Sequence, residues 1–284
     1  MGAVTRDAQV GFAGLGNLGE PMARALLGDG WALTVLDPRP GPADALAADG
    51  ARKAEAPRDL AGCDVVALVV PDDAAVDAVL VESGLLEALA PGGLVVVHST
   101  ILPASARRLA ATAAERGVGV LDAPVSGGAD RALAGDLTVM VGGEADVVER
   151  ARPLLDTVGS EVRHVGPSGA GSATKLANQL MLFSALAGVH EALDLARAYD
   201  VEEAAVLGAV ASGTGASWAA SHWGFFDETA RAYDEGGTPV RERPWSKDLW
   251  EVVAAARAAD VELPVAGLLA QMLAQRVEAH AREA

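Results

Sequence analysis

Cysteine occurs once in 284 residues, at Cys63. A single thiol can make neither an internal disulfide nor a cysteine metal cluster, so Cys63 reads as a packing residue and the chain as one suited to a reducing compartment. Positive charge is also scarce, with 22 Lys and Arg against 39 Asp and Glu and a formal net charge of -17. Such a surface repels phosphate backbones and anionic lipid, which excludes nucleic acid and membrane surfaces as partners and leaves any anionic ligand to a local positive pocket. Long apolar runs are missing too. The longest, Leu180 to Val189, contains Ser184 and stops at His190 and Glu191, short of the ~18 apolar residues of a membrane span. The stretch from Met1 to Gln9 carries Arg6 and Asp7 and does not have the layout of a signal peptide, so a cytoplasmic location is expected. His98, His164, His190, His222 and His280 show no short paired spacing, and no acidic cluster has metal-loop order; no metal is assigned.

What the chain does have is small and aliphatic. It is 51% hydrophobic but only 4% aromatic, a balance that suits buried parallel strands covered by alanine-rich helices. Short Val-rich runs recur at residues 9–13, 32–36, 64–70, 94–98, 118–125 and 137–141, with helix-like segments between them. Strands alternating with helices imply right-handed crossovers and a doubly wound, mostly parallel sheet of the α/β class. That rhythm ends at Gly166. From Ser172 onward Ala, Leu, Glu and Arg recur at helical spacing, with breakers near Gly213, Gly236 to Pro239, Pro244 and Pro264, so the second half is expected to be all-helical. The expected domains are therefore 1–166 and 167–284. The segment Ser172 to Arg197 is apolar around most of its circumference, which predicts a central helix, one a second subunit could help to cover.

The strongest local signal is Gly14-Leu15-Gly16-Asn17-Leu18-Gly19, directly after the first strand and before a helix over residues 20–27. Gly14 permits a tight turn, Gly16 lets a pyrophosphate approach the backbone, Gly19 allows close helix packing, and the helix amino end faces the anion. The second strand ends in Asp37, 18 residues beyond Gly19, where a carboxylate can bind the adenosine ribose. Strand, loop, helix and acid in that order predict a bound NAD or NADP. Asp37 favours NAD because it would repel a 2′-phosphate, while Arg39, just past Pro38, could receive one. The strand ends Val70-Pro71-Asp72 and Ser99-Thr100 fall on the carboxyl edge of the same sheet, where open sheets bind ligands.

Ser126-Gly127-Gly128 follows a strand and offers consecutive backbone donors with a hydroxyl, fit either for a carboxylate or for a plain turn. Its P-V-S-G-G context is not a nucleophile elbow, so acyl transfer is not expected. Lys175, Asn178 and Gln179 stand at i, i+3 and i+4 and share one helix face. A lysine in so apolar a helix costs stability without a purpose or partner, although one near a helix start could also reach solvent. Trp218, Trp223, Trp245 and Trp250 bracket the segment between the Lys175 helix and Lys247 and read mainly as packing residues, with a substrate wall as the alternative.

Four blocks, G-F-A-G-L-G-N-L-G-E-P-M-A from Gly11, L-D-A-P-V-S-G-G over 121–128, G-A-G-S-A-T-K-L-A-N-Q over 169–179 and Lys247-Asp248-Leu249, together resemble the β-hydroxyacid dehydrogenase family over nearly the whole chain. That family includes 3-hydroxyisobutyrate, tartronate semialdehyde and L-threonate dehydrogenases. The resemblance implies a Rossmann domain followed by a helical domain, and hydride transfer between the nicotinamide and a small carboxylate-bearing hydroxy acid. It makes Lys175 the general acid/base, whose two roles a pKa lowered towards neutrality would serve. Ser126, Gly127 and Gly128 would hold the carboxylate, Asn178 and Gln179 hydroxyl groups, and Lys247 the cofactor. It also implies a homodimer or larger homo-oligomer. Many relatives carry K-x-x-N-N where this chain has Gln179, as L-threonate dehydrogenases do, which implies a polyhydroxylated acid whose extra hydroxyl meets the amide. Imine reductases resemble the same two domains but usually replace the lysine. A dinucleotide-binding scaffold without turnover would need neither Lys175 nor the 126–128 loop.

Overall fold

The computed structural model describes residues 2–283, so positions 1 and 284, the outer ends of the two expected domains, lie outside the described residues. Among the described residues nine strands form one sheet: β1 Gln9–Ala13, β2 Ala32–Leu36, β3 Arg52–Lys53, β4 Val65–Leu68, β5 Leu94–Val97, β6 Gly119–Asp122, β7 Val125–Ser126, β8 Thr138–Gly142 and β9 Glu161–Gly166. Their order is β3-β2-β1-β4-β5-β6-β8-β7, with β9 on β8. Every pair from β3 to β6 is parallel. The chain therefore reverses its winding between β1 and β4, and a ligand crevice opens at the carboxyl ends of these two strands.

The sheet is covered on both faces, which is why its inner strands read as unbroken apolar runs instead of alternating ones. Val10 and Phe12 of β1, Val65 and Ala67 of β4 and Leu94 and Val96 of β5 join one core, with Met22, Leu26 and Leu154 from the helices and Trp31 from the turn before β2. The alternate residues Val66 and Leu68 of β4 and Val95 and Val97 of β5 join the other, with Leu60, Leu80, Leu85 and Leu109. Successive side chains point to opposite faces, so one register serves both layers.

Two features depart from the sequence expectation. The run 118–125 is not one strand but β6 and β7, parted at Ala123-Pro124, because proline has no N–H to give to a ladder. The sheet also turns antiparallel there, β8 pairing antiparallel with both β6 and β7, while β9 lies parallel to β8.

Contacts divide the chain into compact units Met1–Lys175 and Leu176–Ala284, a division that falls inside the helix Ala170–Arg197. The second unit is helical, with Glu203–Val210, Phe225–Glu235, Pro244–Ala258 and Pro264–Glu283 as its main elements. The breakers at Pro244 and Pro264 stand at helix starts, where the missing N–H costs nothing. Phe183, Leu186, Phe226, Trp245, Leu249 and Leu273 build the core. Inside it Glu278 accepts from Arg243 Nη1 at 2.8 Å and from Trp245 Nε1 at 2.9 Å, a buried ion pair satisfied on both oxygens. Of the four tryptophans in question Trp245 is buried, while Trp218 and Trp250 are exposed. The long helix is not fully covered within one chain, since Met181 and Leu195 are 68% and 64% exposed.

Candidate active site

In the first unit the glycine loop follows β1. Gly14 has φ 94°, and a Cβ there would stand 2.2 Å from the carbonyl oxygen of Val69. A Cβ on Gly19 would stand 2.0 Å from the carbonyl of Gly14, so these two glycines are required by the chain's own packing. Gly16 is different. A Cβ there would meet nothing within 4 Å, so the protein itself does not demand glycine, and the space left is what a pyrophosphate needs to approach the backbone. The helix Gly19–Gly28 begins without a side-chain cap, which leaves its amino end to an anion. The loop fits a dinucleotide.

At the end of β2 the Asp37 carboxylate is held on three sides. It accepts from the amide of Leu15 at 2.7 Å, from the amide of Arg39 at 2.9 Å and from Arg39 Nε at 3.0 Å. Burial works to raise its pKa, but the hydrogen bonds from Arg39 and the Leu15 amide outweigh it and hold the carboxyl below its usual range. Arg39 also reaches back to the Leu15 carbonyl at 3.0 Å. Asp37 thus ties the glycine loop to the end of β2, while the Arg39 side chain is 55% exposed. Further along the edge, Val70 N donates to Ser99 Oγ at 2.8 Å, which joins the loops after β4 and β5. Asp72 caps the helix Asp73–Asp77 through Ala75 N at 2.9 Å, and Pro71 and Thr100 flank these contacts in the sequence.

Ser126 closes β7, and Gly127 and Gly128 follow with φ 150° and 84°. These positive-φ positions favour glycine. Lys175 is buried, 8% exposed, within the first two turns of the helix Ala170–Arg197. The start of that helix is fixed by a residue that sequence reasoning placed only inside a motif. Asp122, at the end of β6, accepts from Gly169 N and Ser172 N, both at 2.8 Å. Burial raises the Asp122 carboxyl above its usual range, against the lowering by those amides. One carboxylate therefore satisfies two of the helix's orphan donors one turn before Lys175. The signal available was an acid at a strand end together with a small-residue helix start, Gly169-Ala170-Gly171-Ser172.

In the second unit Gln179 is buried and gives Nε2 to Asp248 Oδ2 at 2.5 Å, while its carbonyl accepts from Asn178 Nδ2 at 3.1 Å. Lys247 Nζ lies 2.9 Å from both Asp248 Oδ1 and Glu251 Oε1. Burial works to lower the Lys247 pKa, but the two carboxylates more than reverse this and raise it, so Lys247 is a fixed cation. Among the described residues no group of three or more His, Cys, Asp or Glu could hold a metal ion.

Residues 9–166 match the family model described as the NAD binding domain of 6-phosphogluconate dehydrogenase. Residues 169–284 match the one described as NAD-binding of NADP-dependent 3-hydroxyisobutyrate dehydrogenase. An NAD-dependent L-serine dehydrogenase of Pseudomonas aeruginosa is 39% identical over 92% of this chain and 89% of its own. The structure of Mycobacterium tuberculosis 3-hydroxyisobutyrate dehydrogenase with L-serine superimposes with a TM-score of 0.82 at 31% identity, covering 97% of this chain and 95% of that one. An imine reductase of Streptomyces aurantiacus, at 23% identity and a TM-score of 0.68 over 96% and 95% of the two chains, shares the fold alone.

Proposed function

The chain belongs to the β-hydroxyacid dehydrogenase family, and from that premise we propose that it oxidises a short 3-hydroxy carboxylic acid with Lys175 as the base. It is an NAD(P)-dependent oxidoreductase that moves a hydride between nicotinamide and a hydroxy acid. The observation that carries the finer reading is a lysine buried in an apolar helix whose first turn is pinned by Asp122. Bound nicotinamide supplies the hydride acceptor. The glycine loop, Asp37, Pro38 and Arg39, the edge residues Val70, Pro71, Asp72 and Thr100, and Lys247 bind that cofactor. Ser126 with the amides of Gly127 and Gly128 holds the substrate carboxylate. Lys175 Nζ takes the hydroxyl proton as the hydride leaves carbon, and returns it in the reductive direction.

L-Serine and 3-hydroxyisobutyrate are the first substrates to try. Both ends of the Gln179 amide have protein partners, which supports these acids over L-threonate, whose extra hydroxyl would need that amide. Initial rates with NAD+ are expected to give a higher kcat/KM for one of the two than for L-threonate. A preference for L-threonate, or no turnover of any of the three, would overturn this reading.

NAD(H) is the proposed cofactor, on the Asp37 carboxylate. The NAD+ to NADP+ ratio of kcat/KM is expected to exceed unity and to fall about tenfold in Asp37→Ala, since the ribose partner and the repulsion of a 2′-phosphate vanish together. A parent enzyme that works better with NADP+ would make Arg39 the selector instead.

We place the enzyme in the cytoplasm as a homodimer or larger assembly. No helix among the described residues is long and apolar enough to cross a membrane. Met181, Leu195 and Tyr199 expose 64% to 75% of their surface along and just past the long helix, and Val265 and Leu268 are exposed on the last one, apolar area that a second copy would cover. Light scattering should return at least twice the chain mass of 28.8 kDa; a monomer at micromolar concentration would refute the assembly.

A further inference from the structure

One buried amide of the helical unit has polar partners that fix its orientation. Gln179 is 4% exposed, and both halves of its amide are occupied. A carboxylate can only accept, so the bond to Asp248 fixes which end of Gln179 is nitrogen. The carbonyl is then turned to Asn178, and because a carbonyl can only accept, Asn178 must offer its nitrogen there. Asp248 is fixed in turn, since its other oxygen is taken by the Lys247 ammonium, itself held by Glu251. The series runs ammonium, carboxylate, amide, amide, and each link admits one orientation. Its last free choice, the direction of the Asn178 oxygen, is settled three bonds away.

We propose that Gln179 is a positioning residue: anchored on Asp248, it orients the Asn178 carboxamide so that the Asn178 oxygen is presented as an acceptor one helical turn from Lys175. The inference rests on the proposed function, in which Lys175 is the base, and on the substrate-binding role that the family resemblance implies for Asn178. The donors that such an acceptor suits are the reacting hydroxyl and, in an amino acid substrate, the ammonium group. Gln179 then acts through Asn178 and not on a substrate hydroxyl, the role the family resemblance implies for it. Its longer stem is what lets one amide span from the neighbouring side chain to a carboxylate on a different helix, 69 residues further along the chain.

Gln179→Met keeps the length and the apolar stem while removing both bonds. It is expected to lower kcat about 10- to 100-fold by loosening a substrate-orienting group, with KM and NAD+ affinity moved less than about threefold and the circular dichroism spectrum retained. Asn178→Ala is expected to cause a loss of the same order. In the Asn178→Ala background Gln179→Met should then cost less than about twofold more, because its target is gone. Losses that multiply would show that Gln179 acts on substrate directly and would overturn the proposal, as would an Asn178→Ala enzyme with parental kcat. Should Gln179→Met fail to fold, Asp248→Asn replaces it in the same cycle, with the same non-additive outcome expected. Failure of the underlying reading looks different: Lys175→Ala would then retain turnover whatever the cycle gives.

Discussion

Lys175→Ala is expected to lower kcat by about 100-fold or more, the usual contribution of a placed general acid/base, while NAD+ affinity stays within about threefold. Lys175 is 8% exposed, and lysine is among the residues least often buried, so its place inside the helix is specified and not incidental. The chain also spends specific structure on its placement, since Asp122 fastens the first turn of the helix through Gly169 and Ser172 and leaves little freedom to the turn that follows. Lys175→Arg should be almost as impaired as the alanine variant. A guanidinium keeps the positive charge but holds its proton throughout the working pH range, so rescue by arginine would mean that charge alone is needed. Turnover near the parental rate in Lys175→Ala would remove lysine from the chemistry. Titrating NAD+ by quenching of tryptophan fluorescence separates either result from a damaged cofactor site.

How much of this was legible before the structure depends on the range over which each feature is encoded. Strands β1 and β2 coincide with the apolar runs 9–13 and 32–36, because strands buried on both faces announce themselves locally. The glycine loop was legible from its own spacing after a strand, although the contact that forbids a side chain at Gly14 comes from Val69, far along the chain. β9 was not. It lies at the sheet's margin with four of six residues exposed, and its sequence Glu161-Val162-Arg163-His164-Val165-Gly166 has no apolar run to show. β3 is two exposed residues, Arg52 and Lys53, defined only by pairing with β2. The site residues divide likewise. Lys175, Asn178 and Gln179 could be placed on one face from spacing alone, and the positive-φ turn at Gly127-Gly128 was written in the glycines. The cap on the lysine helix joins Asp122 to Gly169 and Ser172 across 47 and 50 residues. No periodicity carries that information, and a single sequence gives no means of pairing one acid with one helix start.

The folded state is expected to lose about 2 kcal/mol per buried histidine between pH 7 and pH 5, chiefly through His98 and His190. His98 is 2% exposed, and its Nδ1 lies 2.7 Å from the Ala123 carbonyl, which can only accept, so the ring carries its proton there. Nε2 is buried with no hydrogen-bond partner among the described residues. Protonation would put a positive charge on that nitrogen with nothing to receive it, and burial lowers the pKa to about 4 from the ordinary 6.5. His190 is also lowered to about 4, first by burial and then by His280 and Arg276, against the opposite pull of Asp227 and Asp194. The sign follows from linkage. A histidine depressed in the folded state leaves proton uptake to the unfolded chain, so its stabilisation is whole above pH 6.5 and is lost as the pH falls towards 4. Asp37 is depressed below a carboxyl's range and gives way only at lower pH, while Asp122, raised by burial, works in the opposite sense. Variants isolate each share. His98→Asn keeps a donor for the Ala123 carbonyl and removes the titration, and His190→Phe keeps the edge contact with Trp223, whose ring centroid is 4.9 Å away. Whatever the stability of each at pH 7, the drop in urea-unfolding free energy from pH 7 to pH 5 should shrink by about 2 kcal/mol in either. A parental drop in both variants would mean that these histidines titrate alike in the folded and unfolded chains.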